Sequence, residues 1–596
     1  MTRNNINKRF FFSLFVFFLI EPVLLFARTN LIVRDQKSFD EVQQAIVECI
    51  NHGEQKITVT LYSGLYIASE KHINLNGFQV PNVSIRIIGK KGVCIVPDGR
   101  LYKNGDYYNG HFSINNSWMQ GSKDLPNWSN IKYAEGMVEI LDVNDKTCRI
   151  RSREPLRDMH NIQNAFIMIP AWYQSFIYPI SKIESDYIYF TADNLKISYN
   201  KGYNVNNDYN YGKKGIRYKL SNVETGEDFV RVVDNKVLLP PGVNSAWEGK
   251  THTVVSIKNC SIKTLELINI QFFGGGFSLY SPLISISDTK AKRTTIQNCI
   301  FSGIRGNVIK ISSSPNVQVC NNSFEHCYYN GVLSDNTSAN IRVTKNVFRS
   351  MGDKMLASFC ILCNGENYYI ADNRIIDYGY GGISVGEWYG NKLQKPSYGL
   401  VENNELIYSD SYIADIDNHG IMDGGAIYIS TKNDGAIVRY NIIRNYTGIK
   451  DNRGIFCDDG AYNLQIYGNV ITGEYNSFCI DSRRVKNVEA SKAPEAGIER
   501  SNINIIIRDN VVEGPIRFEG HEDSDNGCYS SGNYILSNND SKKMKSVYKN
   551  VIRETEDVAL SNYGVSNGCV FVSESDYKRL KEINNWNRIK RYIKRK

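Results

Sequence analysis

Helical periodicity is scarce in this chain of 596 residues. It is confined to a short stretch near each end, which argues against a helical bundle. A clean membrane span is also missing. The apolar stretch from Phe10 to Phe26 is interrupted by Glu21-Pro22, and a permanent span needs about 20 uninterrupted apolar residues. With Arg3, Lys8 and Arg9 before it and the small Ala27 after it, residues 1–27 read as a secretory signal peptide. No Cys follows to carry a lipid anchor, so the mature chain is expected to be exported, with no membrane span once the signal is removed. Nor is there a general charge excess. The net +8 is accounted for by residues 578–596, where nine Lys or Arg face one Glu. The remainder is near neutral, so a nucleic-acid partner is not expected, and the tail reads as a basic, solvated C-terminal helix.

Thirteen Cys in an exported chain would ordinarily suggest disulfides. Cys299, Cys320, Cys363 and Cys457 instead take apolar slots or sit beside them, as buried small hydrophobes do. In Cys360-Ile-Leu-Cys363, strand alternation is expected to send the two thiols to opposite faces, which favours packing over redox or metal chemistry.

What is abundant is one repeated segment. Asn322, Asn346, Asn373, Asn404, Asn441, Asn469 and Asn510 each stand between an apolar strand and a second apolar pair, and Cys299 holds the same place in an earlier copy. From Cys299 onward the spacings are 23, 24, 27, 31, 37, 28 and 41 residues. A fixed motif with variable insertions marks a solenoid. Each Asn is expected to turn a corner in the left-handed conformation and to hydrogen-bond to its counterpart in the next coil. The fold class is therefore all-β, a right-handed parallel β-helix of about ten or more coils. Ser38-Phe-Asp-Glu41 reads as a capping box opening a helix to about Asn51, which would plug the open end of the stack. Residues 28–100 are the cap and first coils, 101–250 an inserted β subdomain, 251–540 the core, and 541–596 the C-terminal segment. Strand-like runs in the insertion are Met137–Leu141, Ala165–Pro170, Tyr187–Thr191, Phe229–Val233 and Val237–Leu239.

Candidate chemistry lies just upstream of the Asn corners. Ile427-Tyr-Ile-Ser-Thr and Ile455-Phe-Cys-Asp458-Asp459 stand at the same distance before Asn441 and Asn469. Alternation places Ile427, Ile429, Ile455 and Cys457 inside, and Tyr428, Ser430, Phe456 and Asp458 outside. Extending the alignment gives an outward column of Ser430, Asp458, Asp481 and Glu519, with members about 4.8 Å apart. Stacked carboxylates repel, so such a column persists most readily where a site uses it. Two carboxylates about 5 Å apart suit a retaining glycosidase, and roughly 6.5–9.5 Å an inverting one. Asp423 stands at the other end of its strand and reaches the groove if Gly424-Gly425 forms a bulge. Glu387, Trp388, His419, Tyr428, Arg483 and Glu519 are candidates for holding substrate, and Tyr389 and Tyr412 could also stack on sugar rings. Asp415-Ile-Asp417-Asn-His419-Gly420 opens like a calcium loop but lacks the closing Glu, so no cofactor is expected.

These residues carry a resemblance. Asp423-Gly-Gly-Ala-Ile-Tyr-Ile, Gly454-Ile-Phe-Cys-Asp-Asp-Gly460 and Leu464-Gln-Ile-Tyr-Gly-Asn-Val-Ile resemble a run in exported bacterial β-helix proteins: DGGAIY, then GIYLDDG, then a YGNV corner. The run is similar to that of the β-helix glycoside hydrolases of family 141, which include α-L-fucosidase and xylanase activities, with family 120 β-xylosidases more distant. The resemblance implies a catalytic carboxylate pair within the run, at the matching Asp423, Asp458 and Asp459, and a polysaccharide or oligosaccharide substrate. Phe456-Cys457 departs from the usual Tyr-Leu, and Ile429-Ser430 from Thr-Leu or Thr-Gly. Asp481 enters as a partner for Asp458 from the column alone. Two rivals share the fold. One is a polysaccharide lyase using Arg483, Arg484 or Arg517, and the other a non-catalytic glycan-binding surface protein.

Overall fold

The computed structural model describes residues 28–103, 106–108, 132–142, 144–156, 166–170, 175–192, 217–221, 231–233, 236–238, 245–249, 253–274, 282–304, 306–352, 358–386, 398–414, 424–430, 435–444, 453–458, 461–472, 478–482, 503–513, 516–518, 529–531, 533–536 and 570–572. The signal-peptide stretch, the calcium-like loop and the basic C-terminal helix lie outside them.

Three long parallel sheets, of 13, 11 and 13 strands, wrap the chain into a right-handed parallel β-helix. One coil can be followed from Gly425–Ile429 in the second sheet, to Ile437–Arg439 in the first, through Asn441, to Ile442–Arg444 in the third. The next coil begins at Arg453–Cys457. Inward positions are aliphatic and fully buried, as in the column Ile383, Ile427, Ile455, Ile480 and Ile516. Along the third sheet Phe272, Phe301, Phe324 and Phe348 stack with ring centroids 5.3, 4.9 and 4.5 Å apart, the offset geometry aromatic pairs favour.

The Asn repeat forms a continuous amide ladder on the inside of one corner. The side-chain oxygen of Asn404 accepts from the backbone N–H and the side-chain amide of Asn373, at 3.0 and 2.9 Å. Its own amide donates to Asn441 Oδ1 at 3.0 Å and to the Ile370 carbonyl of the preceding coil. The same pattern runs from Asn322 through Asn510 to Asn533. The expected left-handed corner is present, but one residue earlier. Asn321, Lys345, Asp372, Asn403, Tyr440, Gly468 and Asp509 have φ between 55 and 69°. The ladder Asn must direct both ends of its amide along the stack, so its neighbour makes the turn, at a position that accepts residues as different as Lys and Tyr.

At the head of the ladder, Cys299 does with sulfur what the others do with an amide. Its backbone N–H donates to Asn322 Oδ1 at 2.8 Å, and its thiol lies 3.4 and 3.7 Å from the Gln297 and Leu267 carbonyls. No Cys among the described residues forms a disulfide. The expected opposition of Cys360 and Cys363 is overturned, because both belong to the interior core. Alternation breaks at the start of the second sheet's strands, where two successive residues face inward: Cys360 and Ile361, Ala426 and Ile427, Cys479 and Ile480. The first of each pair is small, and at Gly382 and Gly454 an added Cβ would run into the Leu406 and Ile471 side chains. Burial pushes the Cys363 thiol up to about 12 and the Cys360 thiol well above its ordinary value, so neither offers a thiolate near neutral pH.

The N-terminal plug consists of two helices, α1 (Gln36–Asp40) and α2 (Val42–Asn51). The capping box is formed by Asp35 and Ser38, three residues before the one expected from Ser38 and Glu41, because the helix already begins at Gln36. Phe39, Val42 and Ile46 close the core. Two glutamines dress the edge strands of the stack. The Gln36 amide exchanges a pair of 2.8 Å bonds with the Ile67 backbone. Gln43 does the same with Asn74 at 2.6 and 2.8 Å. Both act as a strand of one residue and satisfy groups an open edge would expose.

The insertion contains a closed six-stranded barrel built from Lys132–Asp142, Thr147–Ser152, Phe166–Pro170, Ser175–Glu184, Tyr187–Thr191 and Arg217–Ser221. Its interior is filled by Cys148, Ile150, Ile167, Ile169, Ile188, Phe190, Tyr218 and Leu220. The entering strand Gly99–Lys103 and the leaving strand Ser245–Gly249 pair antiparallel, Leu101 opposite Trp247, so both ends are tied at one place.

Candidate active site on the second sheet

Outside the insertion, the longest stretches of sequence next to strands of the second sheet are residues 386–399, 408–424 and 483–502. The outer face of that sheet carries a row of dissimilar residues. In register across successive coils are Ser384, Tyr428, Phe456, Asp481 and Arg517. Tyr428 and Phe456 point away from the core and join Phe359 and Tyr380 in a separate aromatic cluster. Tyr428 and Phe456 are perpendicular at 5.3 Å, and Tyr428 lies 5.9 and 6.0 Å from the Phe359 and Tyr380 rings.

Among the described residues, Asp458 and Asp481 bring carboxylates to this face. Asp458 follows the strand end, and its backbone N–H donates to the Ile429 carbonyl at 2.8 Å. Its side chain is 9 % exposed, and its Oδ2 accepts the Tyr428 hydroxyl at 2.7 Å. Asp481 is fully buried, and its Oδ2 accepts from Arg453 Nε at 2.7 Å. Arg453 is 1 % exposed and lies with its guanidinium carbon 4.1 Å from the Phe456 ring centre. A buried pair of this kind is held in place by shape and hydrogen bonding, since desolvation offsets much of its Coulomb attraction.

The expected column is corrected in register. Ser430 and Asp458 are level, because Ile429 pairs with Cys457. Asp481 is level with Phe456, two residues short of Asp458. From the dimensions of a sheet, that offset puts the two α-carbons about 8 Å apart rather than stacked. A two-residue slip leaves every residue on the same face, so periodicity is blind to it. The register is set by Ile480 seating beside Ile455 in the interior. The outward residues are also not solvated, since Tyr428, Asp458 and Asp481 are all buried. Tyr412, a possible sugar platform in sequence, is a core residue. It stacks on Tyr408 at 5.0 Å, and its hydroxyl donates to the Tyr378 carbonyl at 2.7 Å.

Of the site residues expected from sequence, the structure places Asp458, Asp481 and Tyr428. Asp423, Asp459, Glu387, Trp388, His419, Arg483 and Glu519 lie outside the described residues. Arg453 was not singled out, and an Arg at the start of an apolar strand, outside the Asn motif, gave no signal. Among the described residues no group of three or more His, Cys, Asp or Glu could hold a metal ion. No helix among them is long and apolar enough to cross a membrane.

No protein-family model matches the chain, and no curated protein matches it. Several solved structures match it, three of them as follows. One titled glycoside hydrolase is 11 % identical, with 76 % of this chain and 95 % of that one covered and a TM-score of 0.47. XylC in complex with xylose is 10 % identical, with 76 % and 78 % covered and a TM-score of 0.29. The tailspike gp61 of Pseudomonas phage phi297 is 10 % identical, with 81 % and 74 % covered and a TM-score of 0.22.

Proposed function

We propose that this is an exported, carbohydrate-active β-helix protein that hydrolyses glycosidic bonds with a carboxylate pair on the outer face of its second sheet. The observation that carries the reading is Asp458. It is a nearly covered carboxylate, held by a buried tyrosine at the end of a strand. A carboxylate kept in such surroundings is costly unless it is used. The Asp-Gly-Gly and Asp-Asp-Gly segments add the family 141 resemblance, with Asp423 or Asp459 as the second carboxyl. The substrate class is a polysaccharide or oligosaccharide.

The test is Asp458→Asn assayed on a polysaccharide panel. Loss of roughly 10²-fold or more in reducing-end release is expected, because an amide neither ionises nor transfers a proton. Wild-type release would overturn the assignment. Products absorbing in the ultraviolet as unsaturated uronates would establish the lyase instead. Saturable binding without release at any pH would establish a glycan-binding protein.

A further inference from the structure

The geometry assigns one job within the carboxylate pair: Asp458 is the member that works without a proton, and Tyr428 is the positioning residue that keeps it so. This rests on the hydrolase reading above and goes beyond it by fixing roles.

Two fixed groups meet here. The Tyr428 ring is wedged among Phe359, Tyr380 and Phe456 and is 6 % exposed, and its strand is paired on both sides, to Ser384 and to Phe456. Asp458 is clipped to the same strand through its backbone bond to Ile429. The hydroxyl and carboxylate therefore meet at 2.7 Å with little freedom to separate. A phenol donating to a carboxylate binds the anion more strongly than the acid. A carboxyl meant to deliver a proton needs the opposite setting, an apolar wall with no donor aimed at its oxygens. Asp481 does not take the donor role, because it is fully buried with Arg453 bonded to its Oδ2.

In the step Asp458 serves, the glycosidic C–O bond breaks and its electron pair passes to the leaving oxygen. That oxygen takes a proton from the other carboxyl of the pair, for which Asp423 and Asp459 are the candidates. The anomeric carbon gains its new bond from Asp458 itself, or from a water whose proton Asp458 accepts.

The experiment uses the full chain with Tyr428→Phe, Asp458→Asn and Asp458→Ala, a glycan that the wild type cleaves, and 4-nitrophenyl glycosides, whose leaving group needs no proton. Tyr428→Phe is expected to lower kcat about 10- to 100-fold with KM nearly unchanged. It should also move the acidic limb of the pH–rate profile upward. Azide should restore turnover to Asp458→Ala, with a glycosyl azide of inverted anomeric configuration as product, whereas a glycosyl azide of retained configuration would make Asp458 the acid. Asp458→Ala that is inactive on the glycan yet keeps its rate on 4-nitrophenyl glycosides would make Asp458 the acid and overturn the assignment. An acidic limb unmoved by Tyr428→Phe would overturn Tyr428's part. Asp458→Asn with full activity on every substrate sinks the hydrolase site itself, a separable result. Melting gives a readout free of turnover. The deficit of Tyr428→Phe against wild type should be larger at pH 7 than at pH 4, and a deficit that grows toward acid would reverse the assignment.

Discussion

The Asn corner and the outer face of the second sheet are built from the same coils and solve opposite problems. At the corner, one residue type recurs from coil to coil, and each copy is satisfied by the copies above and below. On the outer face the register column reads Ser384, Tyr428, Phe456, Asp481, Arg517, with no residue repeated. Polar groups there are satisfied by specific partners that occur once, Tyr428 with Asp458 and Arg453 with Asp481. Repetition gives a structure that any coil can extend, whereas a site requires a place where the repeat stops. The difference separates what holds the stack together from what it can act with.

Breaking the repetitive side has the largest expected effect. Asn404→Ala removes the acceptor of two Asn373 donors and the donor to the Ile370, Glu402 and Asn441 oxygens. All are buried, and a loss of about 5 kcal/mol follows, readable as a shift in the urea midpoint. On the other side, Arg453→Met alone takes the charged donor from the buried Asp481 Oδ2 and should cost about 3–5 kcal/mol. Adding Asp481→Leu should recover part of that loss, and strictly additive costs would show that the pair is not coupled. Asp458→Asn sharpens the contrast, with turnover falling while the melting midpoint moves by the equivalent of about 1 kcal/mol or less. A smaller effect of opposite sign is expected for Cys299→Asn. The Leu267 carbonyl and the Asn322 oxygen already stand where an amide would meet them, so a gain of about 1 kcal/mol should appear in the same urea series.

The smallest effect concerns the plug. His72 stacks on Phe39 at 4.0 Å, its Nε2 lies 2.9 Å from the Phe39 carbonyl, and burial holds its pKa below the ordinary 6.5. The folded state thus binds the proton less readily than the unfolded one. Its contribution is intact above pH 6.5 and is lost as pH falls from there through the depressed folded value. After correction for the pH dependence of intrinsic exchange, amide protection in α1 should fall between pH 7 and pH 5, and a His72→Phe variant should lack that step.

The repetitive part was legible in sequence because repetition is itself a signal. The seven Asn positions gave the solenoid, the corner and the inward column of isoleucines. The left-handed residue was missed by one place, since its identity varies from Lys to Tyr and leaves no pattern. Strict alternation sets Cys360 and Cys363 on opposite faces, whereas two residues in succession turn inward there and both lie in the core. The site was legible only as far as Tyr428, Asp458 and Asp481 on one face. Neither the two-residue offset of Asp481 nor the burial of the Arg453 pair follows from a period of two, because both depend on which isoleucine seats beside which.

The ladder has a consequence for how a chain of this kind changes length over evolution. Its unit is indifferent to its address, since an Asn in one coil meets the same two neighbours whichever coil it occupies. Duplicating or deleting one whole turn between Asn322 and Asn346, where the spacing is 24 residues, leaves every amide with a donor and an acceptor. The number of turns is therefore not written in the ladder. It is set at the boundaries, where Gln36 and Gln43 close the N-terminal edge, much as the length of a zip is set by its stops and not by its teeth.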